Sequence, residues 1–123
     1  MNLPALAVMG TAIAVSGMPA PAQAEDAAAL FVKNCQTCHT IEKGGVARQG
    51  PPLWGVIGRK AGTVDGFKYS DGLRASGIVW TPEKLDEWIT FPKKLIRDTF
   101  MTYRQTDPDI RKAIVDYVAA KKG

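Results

Sequence analysis

Histidine is nearly absent from this 123-residue chain, which has one, His39, and only two cysteines, Cys35 and Cys38. A structural zinc site wants four ligands, and these three side chains cannot complete one. Charge is missing from the first 24 residues; all 16 Lys and Arg and all 12 Asp and Glu come later. Methionine is as scarce beyond that point, where Met101 is the only one of the four. The uncharged apolar run at residues 3–18 has 16 residues, short of the ~20 that a membrane-spanning helix needs. The reading is therefore a protein that is not membrane-embedded. There is no internal repeat and no strand–helix alternation of the βαβ kind. Nor is there a concentrated Lys/Arg stripe with interleaved aromatics, which argues against nucleic acid as a partner.

What is present suits one globular domain. Twelve Gly, eight Pro and 46% hydrophobic residues exclude collagen-like and disordered classes. The apolar run at 3–18 is broken by Pro19-Ala20-Pro21, and Ala22-Gln23-Ala24 reads as an A-x-A cleavage site. This is the pattern of a signal peptide cleaved after Ala24, with residues 25–123 as the mature domain. Its n-region, Met1-Asn2, has no Lys or Arg, so the α-amino group or residues upstream would supply the positive charge. An uncleaved anchor is the rival reading. Removing 24 of the 123 residues leaves 99 with the formal charge of +4 intact. A domain of that size buries only part of its surface and is marginal by itself.

The run Cys35-Gln36-Thr37-Cys38-His39 has the C-x-x-C-H spacing of a c-type haem attachment site. Two thiols about one helical turn apart can each add to one vinyl group of a single porphyrin, and the following imidazole then meets the iron as proximal ligand. Three other readings compete: a redox disulfide, a zinc site and a chance match. The first wants a βαβ context and the second a fourth ligand, both lacking here. A covalent porphyrin would also supply the apolar centre that so small a domain needs.

Periodicity gives helices and no convincing strand. Glu25 and Asp26 open a first helix whose stripe is Ala27, Leu30, Phe31 and Asn34. Residues 40–69 are Gly/Pro-punctuated loop, with Pro51 and Pro52 excluding both a helix interior and a central strand. Ser70 caps a short helix closed by Gly77. Thr81-Pro82-Glu83 starts another, with Leu85, Trp88 and Ile89 on its apolar face and Pro92 as its stop. Residues 92–106 show no period. Asp107-Pro108-Asp109 opens a last helix striped by Ile110, Ala113, Ile114, Tyr117 and Val118, with Lys121 and Lys122 at its C-terminus.

The scarcity of donors narrows the second iron ligand. A His/Met-ligated iron has one candidate of each kind after residue 24, His39 and Met101. The competing readings of Met101 are core filler, with a Lys nitrogen or an open site at the iron.

The motifs C-Q-T-C-H at 35–39, G-P-P-L at 50–53, G-R-K-A-G at 58–62, G-F-K-Y-S-D at 66–71, G-I-V-W at 77–80, P-K-K-L-I at 92–96 and T-F-M at 99–101 stand in order. In these the chain resembles class I cytochromes c of the mitochondrial and bacterial cytochrome c2 type, over nearly all of residues 25–123. The resemblance implies an all-α cytochrome c fold: helices and long loops around one haem c bound through Cys35 and Cys38, with His39 and Met101 as metal ligands. It implies that Pro51 offers its carbonyl to His39 Nδ1, and that Arg59, Tyr69 and Trp80 surround the propionates. It further implies that Tyr103 covers the haem on the Met101 side, with Trp88 and Thr99 beside the ligand, and that Phe31 meets Tyr117 where the first and last helices cross. Lys93 and Lys94 are placed by the exposed haem edge. Some positions depart from the family pattern: Leu73 stands for a polar Asn, Trp88 for the usual Tyr near the Met sulfur, and Arg97 and Phe100 for the usual Pro and Lys before Met101. The segment after Tyr103 is about one residue short.

The function so implied is a monomeric periplasmic one-electron carrier, exported because bacteria attach haem to such apoproteins outside the cytoplasm. It would work between a bc1 complex or a periplasmic dehydrogenase and a cytochrome c oxidase or photosynthetic reaction centre, as in a respiratory chain. Two ionised propionates would bring the formal charge from +4 to about +2, which argues for an acidic docking partner met through Lys93 and Lys94. No general acid/base pair is needed, so no enzyme is implied. The alternatives are a haem enzyme or gas sensor with Met101 unligated, against which the lack of a second His counts, and a dedicated haem subunit of a dehydrogenase.

Overall fold

Each helix of the computed structural model begins where the local sequence offers a cap, a run of good helix formers or a first-turn proline. The structure describes residues 1–14, Gly17 and 22–123, and for 22–25 the backbone alone. Among the described residues the helices are α1 (Ala22–Asn34), α2 (Asp71–Ala75), α3 (Pro82–Thr90), α4 (Pro92–Leu95) and α5 (Pro108–Ala119). There is no strand among them, only one isolated antiparallel bridge, Lys60 to Val79.

Three caps agree with the sequence. Ser70 Oγ accepts from Leu73 N–H at 3.2 Å, Thr81 Oγ1 from Lys84 N–H at 3.1 Å, and Asp107 Oδ1 from Asp109 N–H at 2.9 Å. Each side chain takes a donor that has no partner inside its helix. Three expectations are corrected. Helix α1 starts at Ala22, three residues before Glu25, because Ala is the strongest helix former and Ala22 and Ala24 carry the turn backwards. Residues 92–106 contain α4, a single turn started by Pro92 itself, whose fixed φ suits a first helical position. Lys121 and Lys122 lie past the end of α5, and Lys121 Nζ instead sits 4.5 Å from the centre of the Tyr117 ring.

The break at Pro19-Ala20-Pro21 lies outside the described residues. Residues 1–14 carry no regular structure. No helix among the described residues is long and apolar enough to cross a membrane.

Helix α1 packs on α5, and α3 packs on both α5 and α4. At the first contact Phe31, 1% exposed, meets the Tyr117 ring with centroids 5.5 Å apart, and Ile114 and Val118 are each 2% exposed. Burying a side chain such as Phe31 contributes about 1.5–3 kcal/mol. The α3–α5 contact carries an ion pair, Arg111 Nε to Asp86 Oδ1 at 2.8 Å. The same guanidinium donates to the carbonyls of Gln105 and Thr106, so one side chain joins α3, the loop before α5 and α5 itself.

The long segment between α1 and α2 is held by backbone bonds within itself and to the residues past α5. Gly50 N–H donates to Cys38 O at 2.7 Å, Leu53 N–H to Thr40 O at 2.9 Å, and Gly55 N–H to Lys121 O at 2.7 Å. Around the bridge, Gly58 N–H donates to Trp80 O and Trp80 N–H to Arg59 O, which sets Arg59 beside Trp80. The buried side chains of α1, α2, α3, α5 and this segment form one cluster, and part of that cluster is the wall of a cavity.

Candidate haem site

The end of α1 delivers the two thiols and the imidazole. Past Asn34 the chain keeps turning: Cys35 N–H donates to Phe31 O at 2.8 Å and His39 N–H to Cys35 O at 2.9 Å. Cys35, Cys38 and His39 therefore come off consecutive turns, and all three line one cavity of about 430 Å³. That volume lies in the range of small-molecule and cofactor sites, roughly 300–1,000 Å³.

His39 is fixed from behind. Its Nδ1 lies 2.8 Å from the Pro51 carbonyl oxygen; a carbonyl only accepts, so Nδ1 carries the proton and Nε2 keeps its lone pair. Burial lowers the pKa of His39, against the opposing effect of that hydrogen bond, which favours the neutral, metal-binding imidazole. Gly50 presses its backbone on the ring, and a Cβ at that position would overlap the imidazole. Sequence reading took G-P-P-L as a motif but gave Gly50 no role; its place directly before Pro51 was the available signal.

The opposite supply of donors comes from residues 99–103. Thr99 is buried, and its Oγ1 accepts from Met101 N–H at 3.2 Å. Trp88, buried on α3, donates its indole N–H to Met101 Sδ at 3.1 Å. Trp80 meets Trp88 edge-on at a centroid distance of 5.4 Å. Tyr103 Oη accepts from Gln105 Nε2 at 3.2 Å.

Arg59 is more tied to protein than expected. It donates through Nη1 to Pro52 O and through Nη2 to Trp54 O, both at 2.8 Å. Burial pulls its pKa below the ordinary value while Tyr69 opposes that. Tyr69 in turn accepts from Val64 N–H at 3.2 Å and lies edge-on to Phe67, centroids 4.7 Å apart.

The eleven side chains singled out from sequence, Cys35, Cys38, His39, Pro51, Arg59, Tyr69, Trp80, Trp88, Thr99, Met101 and Tyr103, all line this cavity. Phe31 and Tyr117 do not; they meet behind it at the α1–α5 contact. Lys93 and Lys94 are exposed on α4 and do not line it. Cavity residues that sequence reading did not assign include Gln49, whose Oε1 accepts from Cys38 Sγ at 3.2 Å, and Ile114 and Val118 of α5.

The donor set suits a covalent haem better than a dithiol couple. A reactive thiol has a lowered pKa, whereas burial pushes free Cys35 up to about 11, with Cys38 adding to the rise. Both thiols, an imidazole with a free Nε2 and a thioether converge on one largely apolar cavity, with Arg59, Tyr69 and Trp80 supplying charge and donors for carboxylates. These are the groups that a haem with two thioether links, two axial ligands and two propionates would use.

Comparison with known proteins agrees. A family model described as cytochrome c matches residues 24–122. The chain is 45% identical over 86 residues to cytochrome c2 of Blastochloris viridis, covering 68% of each chain. It is 43% identical over 94 residues to cytochrome c2 of Rhodopila globiformis, covering 76% of this chain and 88% of the relative. It is also 46% identical over 76 residues to cytochrome c of Theileria annulata, spanning 62% of this chain and 65% of that protein.

Proposed function

The chain belongs to the cytochrome c family, and we propose that it is a one-electron carrier of the periplasm whose iron is held by His39 and Met101. The haem c is joined through Cys35 and Cys38 and supplies the iron that gains and loses the electron. The observation that carries this reading is the meeting, in one cavity, of both thiols with His39 and Met101, the only His and the only Met after residue 24.

The chain's own residues account for the rest. Pro51 and Gly50 fix the His39 ring, and Trp88 and Thr99 orient the Met101 thioether and backbone. Fixed ligands need little rearrangement when the charge on the iron changes, which favours fast transfer. Buried Leu73, Leu85, Ile89 and Ile114 line the cavity and keep it dry, and a dry site with a thioether ligand favours ferrous iron. Arg59, Tyr69 and Trp80 receive the propionates. Residues 1–24 act as a leader removed after Ala24. The monomer docks through Lys93 and Lys94 on acidic faces of a bc1-type complex or periplasmic dehydrogenase on one side, and of an oxidase or reaction centre on the other. Carboxylate partners complement the formal charge of +4 on the chain.

The test is the ferric visible spectrum. A weak red band of thioether–iron ligation is expected in the wild type and should vanish in Met101→Ala, with haem still attached, the potential lowered and the iron open to added ligands. A high-spin wild-type spectrum, or a Met101→Ala protein with unchanged potential and ligand access, refutes His/Met ligation.

A further inference from the structure

The segment carrying Met101 packs Met101 and Tyr103 against the core but makes few hydrogen bonds to the rest of the molecule. Ile96 is buried, and Thr99 N–H donates back to Ile96 O at 3.2 Å. Arg97, Asp98 and Phe100 are exposed. The next backbone bond to another element is at Gln105, whose N–H donates to Ile89 O at 2.8 Å. Among the described residues, two hydrogen bonds join the stretch 97–104 to other walls of the cavity. One is Trp88 Nε1–H to Met101 Sδ, from α3. The other is Gly72 N–H to Asp98 Oδ2 at 3.0 Å, from α2.

The second bond spans 26 residues of sequence and has a built fit. Gly72 N–H lies in the first turn of α2, where amides lack partners inside the helix. Ser70 Oγ takes the Leu73 N–H, and Asp98 takes the Gly72 N–H. The carboxylate lies so close over this turn that a Cβ on Gly72 would overlap it. That clash is with the end of a movable side chain, so a larger residue at 72 would displace the carboxylate without disturbing α2. Phe67, Tyr69, Ser70 and Leu73, on the same wall, line the cavity. The bond therefore closes the seam between this wall and the Met101 segment.

We propose that Asp98 is a positioning residue: its hydrogen bond to Gly72 clasps the Met101 segment against the α2 wall, holds the thioether at the iron and keeps outside ligands from replacing it. The proposal rests on Met101 being the ligand. Releasing the clasp adds freedom to a segment that must swing aside before a competing ligand can enter, so the competitor binds more tightly.

The test uses the ferric holoprotein and imidazole as competing ligand, titrated by visible spectroscopy. Asp98→Ala should bind imidazole roughly three- to tenfold more tightly, the scale of one solvent-accessible charge-assisted hydrogen bond. Gly72→Ala should do the same by evicting the carboxylate. The double variant should be no looser than either single one, since both break the same bond. Asp98→Asn, whose amide oxygen still accepts, should recover most of the effect. The resting spectra of all four should keep the thioether band. Wild-type affinity in both single variants, or effects that add fully in the double variant, would overturn the clasp. If wild type already binds imidazole as tightly as Met101→Ala, the ligand reading itself fails and the clasp falls with it.

Discussion

Under the proposed Met101 ligation, replacing Trp88 by Phe removes one hydrogen atom that matters to the iron. The indole N–H lies 3.1 Å from Met101 Sδ, and a thioether sulfur bound to a metal keeps one further lone pair for such a donor. Ferric iron draws more density from sulfur than ferrous iron does, so the N–H bond is weaker in the ferric state and favours reduction. A neutral hydrogen bond contributes about 0.5–1.5 kcal/mol net, and sulfur is a weak acceptor. Taking about 0.5–1 kcal/mol as the difference between oxidation states, and ~59 mV per tenfold change for one electron, the potential of Trp88→Phe should fall by roughly 20–40 mV. The Phe ring retains an aromatic contact with Trp80, now 5.4 Å from Trp88, although the smaller ring leaves space at a buried position. Trp88→Tyr separates the two effects, because it also shrinks the ring but restores a donor. Spectroelectrochemical titration of the three proteins is the assay. A potential that is unchanged or raised in Trp88→Phe, or equally lowered in Trp88→Tyr, refutes the hydrogen-bond argument.

Phe31→Ala empties the α1–α5 contact, where the side chain is 1% exposed, and should cost about 3–5 kcal/mol in guanidinium unfolding of the holoprotein; a loss below ~1 kcal/mol would show that the crossing collapses to fill the space. Cys35→Ala with Cys38→Ala should yield no covalent haem and a largely unfolded chain by far-UV circular dichroism, since a domain this small lacks core without it; a folded apoprotein of native helicity would contradict this. Lys93→Glu with Lys94→Glu should slow stopped-flow oxidation by an oxidase or reaction centre severalfold at low salt, with the gap narrowing once the Debye length falls below ~10 Å. Equal rates at low salt would put the docking face elsewhere.

What was legible in the sequence was local. Ser70, Thr81 and Asp107 each announce a helix with a cap, and the last two with a proline behind it, and all three caps bond as expected. The attachment motif is legible because its chemistry occupies five adjacent residues. Helix α4 was not, since one turn from Pro92 to Leu95 is too short to display a period. The clasp was hidden for a different reason. Asp98 and Gly72 stand 26 residues apart, in a segment without periodicity and a helix of one turn, and neither side chain type suggests the other.

Arg59 shows that one side chain can carry more than the single task the resemblance implies for it. The resemblance gave it one task, charge for a propionate, and the structure does place it on the cavity wall. Yet two of its nitrogens bond the carbonyls of Pro52 and Trp54. Those carbonyls belong to a Pro-rich stretch with no helix or strand partners to satisfy them, and the guanidinium supplies a donor to each. A guanidinium can do this because its donors form a rigid planar fork, which an ammonium lacks. The same fork also fixes the loop that carries Pro51, and Pro51 in turn orients His39. The charge on the cavity wall and the set of the imidazole ring are thus built on one side chain. Under the proposed arrangement, with His39 on the iron and a propionate at Arg59, a change at Arg59 would reach the iron by two routes, through the field at the propionates and through the His39 ring.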